Sequence, residues 1–567
     1  MKKSIILLAV AGLFALSSCS DEKGGVTEPD FNSDGKSYIK INIAPAKTTG
    51  TRAEEEGTDN GNIDEYEKNI NNLRFYFFKE GRPVPVNATG FNWVEHTPGE
   101  ISDDNPANQN IDRTLSAIAI LQLPKDSEKP DQMVTIANPE SFEELNDNKS
   151  YSLEELSGLA ADLSGTSNGL VMTTSVYLDN KDIINYTELH PDDFKSTMEE
   201  AMDESSPVKV YLDRALAKVQ VIVNFKPQDD DTNSLIEFTD EETGEDKIGY
   251  LIGEYGIYNG ETTENKSIYV VFLGWNATQT AKESFLVKNI ENSWTDTSVF
   301  PNWNDVNNFR SYWAKNPGNM DFGYLSLFEG TSQKLEEGVT VYVQENAPGT
   351  GEDKVNKPTR VFVGAKFVDQ DGKDLQVAEL ANQKMTADNL GPSYLSMYLA
   401  KNGKEKLYKI VGEEISEVVG SEIGFKTATA VSEITPEYGA YYVYPCVDTV
   451  TKDNEAIQYS WDEEGETLIS DINSELKSLG HAKYWKYGYY YFDIIHYDAR
   501  DNETIIPGVI RNHFYKCEIS GVKGWGTPVL DPEETIYPER PETDDFVISA
   551  QINVLSWKEY NHEYELE

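Results

Sequence analysis

The chain has 567 residues and carries 49 Lys and Arg against 98 Asp and Glu, a formal net charge of −49. That balance excludes nucleic-acid binding, which needs a basic footprint, and fits a surface protein kept soluble by self-repulsion. Disorder is excluded as well, because hydrophobic residues make up 38% and aromatics 11% of the chain, with 32 tyrosines to anchor a core.

The length allows two or three domains. A Tyr- and Val-rich chain punctuated by Gly, Pro, Asn and Asp leans to β-structure. Met1 to Ser18 combines a basic start at Lys2 and Lys3 with an apolar run from Ile5 to Leu16. That run is a signal-peptide core, too short to cross a membrane. Leu16-Ser17-Ser18-Cys19 resembles the bacterial lipobox, in which signal peptidase II cuts before a cysteine that becomes diacylated. Acyl chains add about 0.8 kcal/mol of membrane affinity per buried methylene, so the precursor is expected on a membrane. No later stretch of the sequence reads as a membrane span.

A polar leash, residues 20–37, leads to Tyr38-Ile39-Lys40-Ile41-Asn42-Ile43-Ala44-Pro45. Ile39, Ile41 and Ile43 share one face of a short strand that Pro45 stops. Residues 46–61 are small, polar and glycine-rich, the composition of an exposed loop where proteolysis concentrates. Arg52, followed by Ala53, is a target there for a trypsin-like protease. A cut at this bond would free the lipid anchor and strand 38–44 together and leave an apolar groove. An open sheet edge templates strand addition from another chain.

Strands are predicted over 70–79, 114–123, 133–137 and 169–178, and Gly81-Arg82-Pro83 reads as a turn. Ser152-Leu153-Glu154-Glu155 is a capping box opening a helix lined by Leu153, Leu156 and Leu163; residues 190–204 read as an acidic helix or loop. Val208 to Phe225 is one long strand pattern whose buried face changes near Asp213-Arg214. This is the expectation for a strand that passes from one domain to the next, and it sets the boundary at about 205–230. Later strands are predicted at 267–274, 339–344, 359–368, 407–411, 439–444, 487–497 and 513–519. Leu468, Ile469, Ile472, Leu476 and Leu479 lie at helical spacing before Gly480. The expected fold is mainly β: two β-sandwich domains, 53–220 and 221–545, with few short helices.

The chain ends on Phe546-Val547-Ile548-Ser549-Ala550-Gln551-Ile552-Asn553-Val554-Leu555-Ser556-Trp557 and continues to Glu567. Phe546, Ile548, Ala550, Ile552 and Val554 alternate with Ser549, Gln551 and Asn553, a half-buried strand. The parity slips near Leu555 to Trp557, as a bulge would cause. Chain ends are usually frayed and polar. A long apolar-faced strand in that place closes either the molecule's own sheet or another molecule's, and its pairing with a removable N-terminal strand favours the second.

Catalytic chemistry has no visible support, and the chain is expected not to be an enzyme. The six histidines show no metal-ligand spacing, so no metal or other cofactor is expected. Among so many acidic residues no carboxylate pair stands out. Asp369-Gln370-Asp371-Gly372-Lys373-Asp374 begins like a calcium loop but has Asp374 and Leu380 where an EF-hand needs Gly and Glu, which leaves a hairpin turn at Asp371-Gly372. Asn276-Ala277-Thr278 matches a glycosylation sequon by chance. Trp275, Trp294, Trp303 and Trp313 stand in a polar stretch as a candidate glycan platform, with core packing the commoner role. With Cys19 lipidated, Cys446 and Cys517 are left either to pair, which export permits, or to remain buried thiols.

The lipobox at Cys19, strand 38–44 and Thr51-Arg52-Ala53 come first in a series of motifs. It continues with Leu212-Asp213-Arg214-Ala215-Leu216-Ala217-Lys218-Val219 and Val509-Ile510-Arg511-Asn512-His513-Phe514-Tyr515, and it ends with Val554-Leu555-Ser556-Trp557-Lys558. Taken in order along the chain they resemble the fimbrillins, subunits of the protease-assembled type V pili of Gram-negative anaerobes, and most of all the structural shaft subunit of the short, or minor, fimbria. Between about 230 and 480 the resemblance reduces to strand patterns. The resemblance implies transthyretin-like sandwich domains and a lipoprotein with signal peptide 1–18 and lipidated propeptide 19–52. It implies cleavage by an arginine-specific protease between Arg52 and Ala53, and loss of the strand carrying Ile39, Ile41 and Ile43. The vacated groove would then take a donor strand, 546–567, from a neighbour, through Phe546, Ile548, Ala550, Ile552, Val554 and Trp557. The implied partners are further copies of the same chain head to tail, accessory anchor and tip subunits, the protease, and the outer membrane before cleavage, with an extracellular fimbria as the destination. Readings of another kind are a monomeric surface lipoprotein that binds glycan and a fimbrial tip adhesin.

Overall fold

The structure is a computed structural model. It describes residues 36–45, 67, 70–84, 93–96, 114–122, 128–139, 145, 149–164, 169–179, 182–202, 208–225, 234–241, 243–258, 262–290, 314–317, 321–347, 357–427, 442–497, 505–522, 524–536 and 548–555. Strands dominate, as the composition predicts, and the described residues form five helices.

The strands that matter for function, in chain order, begin with β1 (Lys36–Pro45), β2 (Leu73–Lys79), β3 (Trp93–His96), β4 (Thr114–Gln122), β5 (Gln132–Ala137), β6 (Met172–Thr174) and β7 (Val208–Arg214). These build the first sheet, in which the order is Arg82–Pro83, β2, β5, β6, β7, β1, β4, β3. One face buries Ile39, Ile41, Phe75, Phe77, Val208 and Val210 in a single cluster. The opposite face buries Phe78, Val134 and Ile136 against Leu156, Leu216 and Leu286. Helix α1 (Leu153–Ser157) starts on the predicted capping box, with Glu155 N–H donating to Ser152 Oγ at 3.1 Å and Ser152 N–H to Glu155 Oε2 at 2.9 Å. Leu163 lies beyond the helix end. Residues 191–202 form a short 3₁₀ turn and helix α2 (Met198–Met202).

The second set is β8 (Leu216–Val223), β9 (Asp246–Tyr258), β10 (Thr263–Thr278), β11 (Thr340–Gln344), β12 (Arg360–Val368), β13 (Tyr487–Asp493), β14 (Phe514–Val522) and β15 (Ile548–Leu555). A four-stranded sheet runs β11, β8, β14, β15; a larger sheet contains the neighbours β9, β10, β12 and β13. The two share one core. Ala217, Val219, Val221, Tyr515, Cys517 and Ile519 from the smaller sheet meet Ile268, Val270, Trp275, Val363, Phe367 and Tyr490 from the larger. Alternate residues of each strand point into that core, the period of 2 that the sequence displays. The long 208–225 pattern is two strands, β7 in the first sheet and β8 in the second, and the face changes at Ala215, as predicted.

Strand β9 has no counterpart in the sequence reading. Gly249, Gly253 and Gly256 break its alternation, and the ladder to β10 slips between Leu251 and Gly253. Helix α4 (Ala387–Asn402), which follows the short α3 (Leu327–Gly330), was equally invisible. Its buried Leu390, Tyr394 and Tyr398 recur every fourth residue, but Gly391-Pro392 reads locally as a break. Pro392 is the sixth residue of the helix, inside it, and Gly403, with φ 62°, closes the far end. Tyr398 Oη donates to Glu475 Oε2 at 2.8 Å, fastening α4 to α5 (Ile472–Lys477). Helix α5 is shorter than the spacing of Leu468 to Leu479 predicts, because Asp471 caps it by accepting from Ser474 N–H. Leu468 and Ile469 therefore precede the helix. Together α4, α5 and the strands around them bury a separate cluster, including Leu390, Tyr394, Tyr398, Ile472 and Leu476. The part expected as one domain over 221–545 thus contains a helix-bearing module with its own core.

At α4 the helix backbone approaches a neighbouring turn so closely that a Cβ on Gly391 would stand 2.3 Å from Gly420 O. Gly391→Ala is expected to destabilise the protein by about 1–3 kcal/mol through overpacking, read as a lower urea midpoint with an unchanged slope.

Candidate functional site

Strand β1 lies inside the first sheet, not at its edge. It pairs antiparallel with β4, from Lys36 opposite Gln122 to Ile43 opposite Leu115. It pairs parallel with β7, from Ile41 opposite Val208 to Pro45 opposite Leu212. The two ladders overlap at Ile41, Asn42 and Ile43, where the strand is bonded on both sides. Ile39 and Ile41 are 0% exposed. Each such side chain is worth about 1.5–3 kcal/mol of burial. Lifting β1 out would therefore uncover an apolar slot walled by β4 and β7.

Strand β15 is placed differently. Among the described residues it pairs with β14 alone, Val554 opposite Tyr515, Ile552 opposite Cys517 and Ala550 opposite Ile519, and there it forms the edge of its sheet. The predicted C-terminal strand is thus present over 548–555, within the molecule's own second sheet. Phe546, Trp557 and the expected parity slip at the end of the strand lie outside the described residues, as do Cys19, Arg52 and Ala53. Of the residues expected in the removable strand, Ile39 and Ile41 are buried, and Ile43 pairs with Val210 and Leu115.

Between β1 and β15 stands a buried polar junction built from the two sequence segments 212–219 and 509–515. Asn512 N–H donates to Leu216 O at 2.8 Å, and Lys218 N–H to His513 O at 2.9 Å. Asn512, at φ 58°, takes the left-handed turn that brings the segments together. Arg511 is 0% exposed, ion-paired with Glu345, and its Nη1 donates to Leu286 O at 2.9 Å. Arg214 Nη1 donates to Asn512 Oδ1 at 3.3 Å and its Nε to Glu67 O at 3.2 Å. Lys218 Nζ reaches Glu67 Oε1 at 2.5 Å, and Tyr342 Oη donates to the same oxygen. His513 is fully buried, with Nδ1 2.9 Å from Arg511 O. Glu67 escaped the sequence reading, since one glutamate among so many acidic residues carries no signal.

Lys288 is buried close to this junction. Burial pushes its ammonium down to about 8; Glu345 and Asp213 oppose that shift and Arg511 reinforces it. Cys446 and Cys517 are free thiols, and burial raises the Cys517 thiol. Trp275 is 0% exposed and donates through Nε1 to Lys334 O at 2.9 Å, which removes it from any glycan platform; Trp294, Trp303 and Trp313 lie outside the described residues. Asn276 Nδ2 donates to Ser332 Oγ at 2.8 Å, so the sequon side chain is engaged within the protein. Asp369 Oδ1 accepts from the N–H groups of Asp371 and Lys373 in the expected hairpin turn. Among the described residues no cluster of His, Cys, Asp or Glu is arranged to hold a metal ion, and no helix is long and apolar enough to cross a membrane.

Two family models match the chain. Residues 37–214 match the major fimbrial subunit protein (FimA), and residues 483–563 match the fimbrillin C-terminal model of the major fimbrial subunit protein type IV. At both ends, then, the chain matches models of fimbrial subunits. The first matched segment runs from β1 to the end of β7; the second holds β13, β14 and β15. The α4–α5 module lies in the unmatched stretch between them. Among solved structures the chain is similar to a fimbrilin from Porphyromonas gingivalis W83, at 12% identity over 93% of this chain and 98% of that one, with a TM-score of 0.33. It is similar to a fimbrial assembly protein from Parabacteroides distasonis ATCC 8503, at 12% identity over 58% and 82%, TM-score 0.27. It is also similar to a C-terminally truncated tip fimbrial protein from Porphyromonas gingivalis, at 8% identity over 92% and 100%, TM-score 0.29. No curated protein matches the sequence.

For Lys288, the native state binds fewer protons than the unfolded chain between about pH 8 and the ordinary lysine value of 10.5. Its contribution to stability therefore rises with pH across that window. Thermal unfolding of the protein and its Lys288→Met variant at pH 7 and pH 10 is expected to show the natural protein gaining on the variant at the higher pH.

Proposed function

We propose that this protein is a structural shaft subunit of a cell-surface fimbria. It is exported as a lipoprotein on Cys19, cut between Arg52 and Ala53 by an arginine-specific protease, and polymerised by donor-strand exchange. The carrying observation is the contrast between the two terminal strands. Strand β1, upstream of Arg52, is paired on both sides in the interior of its sheet, whereas among the described residues β15 holds an edge by one ladder. Before cleavage the loop to the body keeps β1 at a high effective concentration in its slot. After cleavage that advantage is gone, and the C-terminal segment 546–567, of like alternation, competes for the slot. A C-terminal strand moving from a one-sided edge into a two-sided slot gains a second ladder, at about 0.5–1.5 kcal/mol net per hydrogen bond. Its apolar face is buried at about 25 cal/mol per Å2. Each subunit would keep one slot and offer one strand, a heterologous contact that does not close and so grows as a filament. Anchor and tip subunits would terminate the polymer, and the cell surface would carry it for adhesion.

The test takes residues 20–567 with Cys19 replaced and adds trace trypsin. A new N-terminus at Ala53, followed by filaments in electron micrographs, is the expected result; a clean cut that leaves monomers would overturn the reading. Ile548→Asp with Ile552→Asp is expected to abolish filaments while the uncut monomer keeps its circular dichroism spectrum. Fibres from that variant would remove these residues from the donor role.

A further inference from the structure

We propose that Glu67 is a positioning residue for the acceptor slot, stapling the root of its β7 wall to the second sheet so that the wall stands when β1 is absent. The inference rests on the strand-exchange reading above.

The reason lies in how β7 is held. On one side, residues 208–212 pair with β1; on the other, Leu212 to Arg214 pair with Thr174 to Met172 of β6. Among the described residues no other strand pairs with Val208 to Val210. With β1 gone, this half of the wall projects from its C-terminal end like a cantilever. Its footing is the ladder to β6, the bonds from Ser175 N–H to Tyr211 O at 2.8 Å and from Ala215 N–H to Val171 O at 2.9 Å, and the side chain of Arg214. Arg214 Nε is gripped by the main-chain oxygen of Glu67. The Glu67 side chain, 0% exposed, is in turn held by Lys218 on β8 and Tyr342 on β11. Glu67 lies downstream of Arg52, so it stays with the body when the propeptide leaves. In the uncut protein β1 and Glu67 both steady β7. After the cut Glu67 takes a larger share of that task.

A merely structural ion pair would matter equally before and after cleavage. A positioning residue would matter more after it. The experiment uses the full-length soluble chain in the donor-disabled Ile548→Asp/Ile552→Asp background, so that the cut form stays monomeric. Glu67→Gln is added, and Glu67→Gln/Lys218→Met serves as a second variant that leaves no unpaired buried charge. Hydrogen exchange of residues 208–212 is followed before and after trypsin, and a labelled peptide of residues 546–567 is titrated by fluorescence anisotropy. Exchange close to that of the Glu67 chain before the cut, several-fold faster exchange after it, and at least tenfold weaker peptide binding are the expected results in both variants. Exchange altered equally before and after the cut, or unchanged peptide affinity, would overturn the role of Glu67 alone. If the cut chain with Glu67 intact takes up no peptide, the strand-exchange reading fails, and this inference with it.

Discussion

An N-terminal strand bonded on both sides within a sheet is the constraint on which this molecule turns. Most chain termini can be shortened with little consequence because they lie at edges. Here β1 separates β4 from β7, and Ile39 and Ile41 supply part of the core that the first sheet rests on. Without a strand in that place, β4 and β7 have no common neighbour and the cluster beneath them faces water. The slot has a defined polarity, parallel to one wall and antiparallel to the other, so whatever fills it is restricted in direction and register.

The second constraint is the passage of one strand through two sheets. β7 and β8 are nearly continuous, with Ala215 between them, and the change of face sends Val210 and Leu212 into one core and Ala217 and Val219 into the other. At that crossing backbone and side chains must be satisfied without solvent. The structure pairs most of these groups through Arg214, Lys218, Glu67, Asn512 and Arg511, all of them buried, while Glu67 Oε2 and Arg511 Nε have no hydrogen-bond partner among the described residues. Such groups are tolerated only when paired, and breaking one pair leaves a charge with no water to hydrate it. The junction therefore ties β7, through β8 and β14, to β15.

Much of this was legible in the sequence because it rests on alternation and on local chemistry. Ile39-x-Ile41-x-Ile43, Val208-x-Val210-x-Leu212 and the Ser152/Glu155 capping box are short-range patterns, and each produced the element expected of it. What stayed hidden were elements whose local signal conflicts with their place in the fold. Three glycines interrupt β9, and Gly391-Pro392 masks α4, yet packing against Ile236 and β10 in one case and against the turn at Gly420 in the other overrides local preference. Leu468 has helical spacing relative to Ile472 but lies before the Asp471 cap, where the helix begins.

The sequence by itself determined the β class, the alternating strands at both ends and the crossing near residue 214, because side-chain period and backbone chemistry are local. It also marked 212–219 and 509–515 as segments of note, without saying that they touch. Tertiary structure alone decided that β1 lies between two strands instead of at an edge, that β15 occupies an edge, and that Glu67 meets Lys218 and Arg214. Strand order and long-range ion pairing depend on which distant segments share a neighbour, and no period along the chain encodes that.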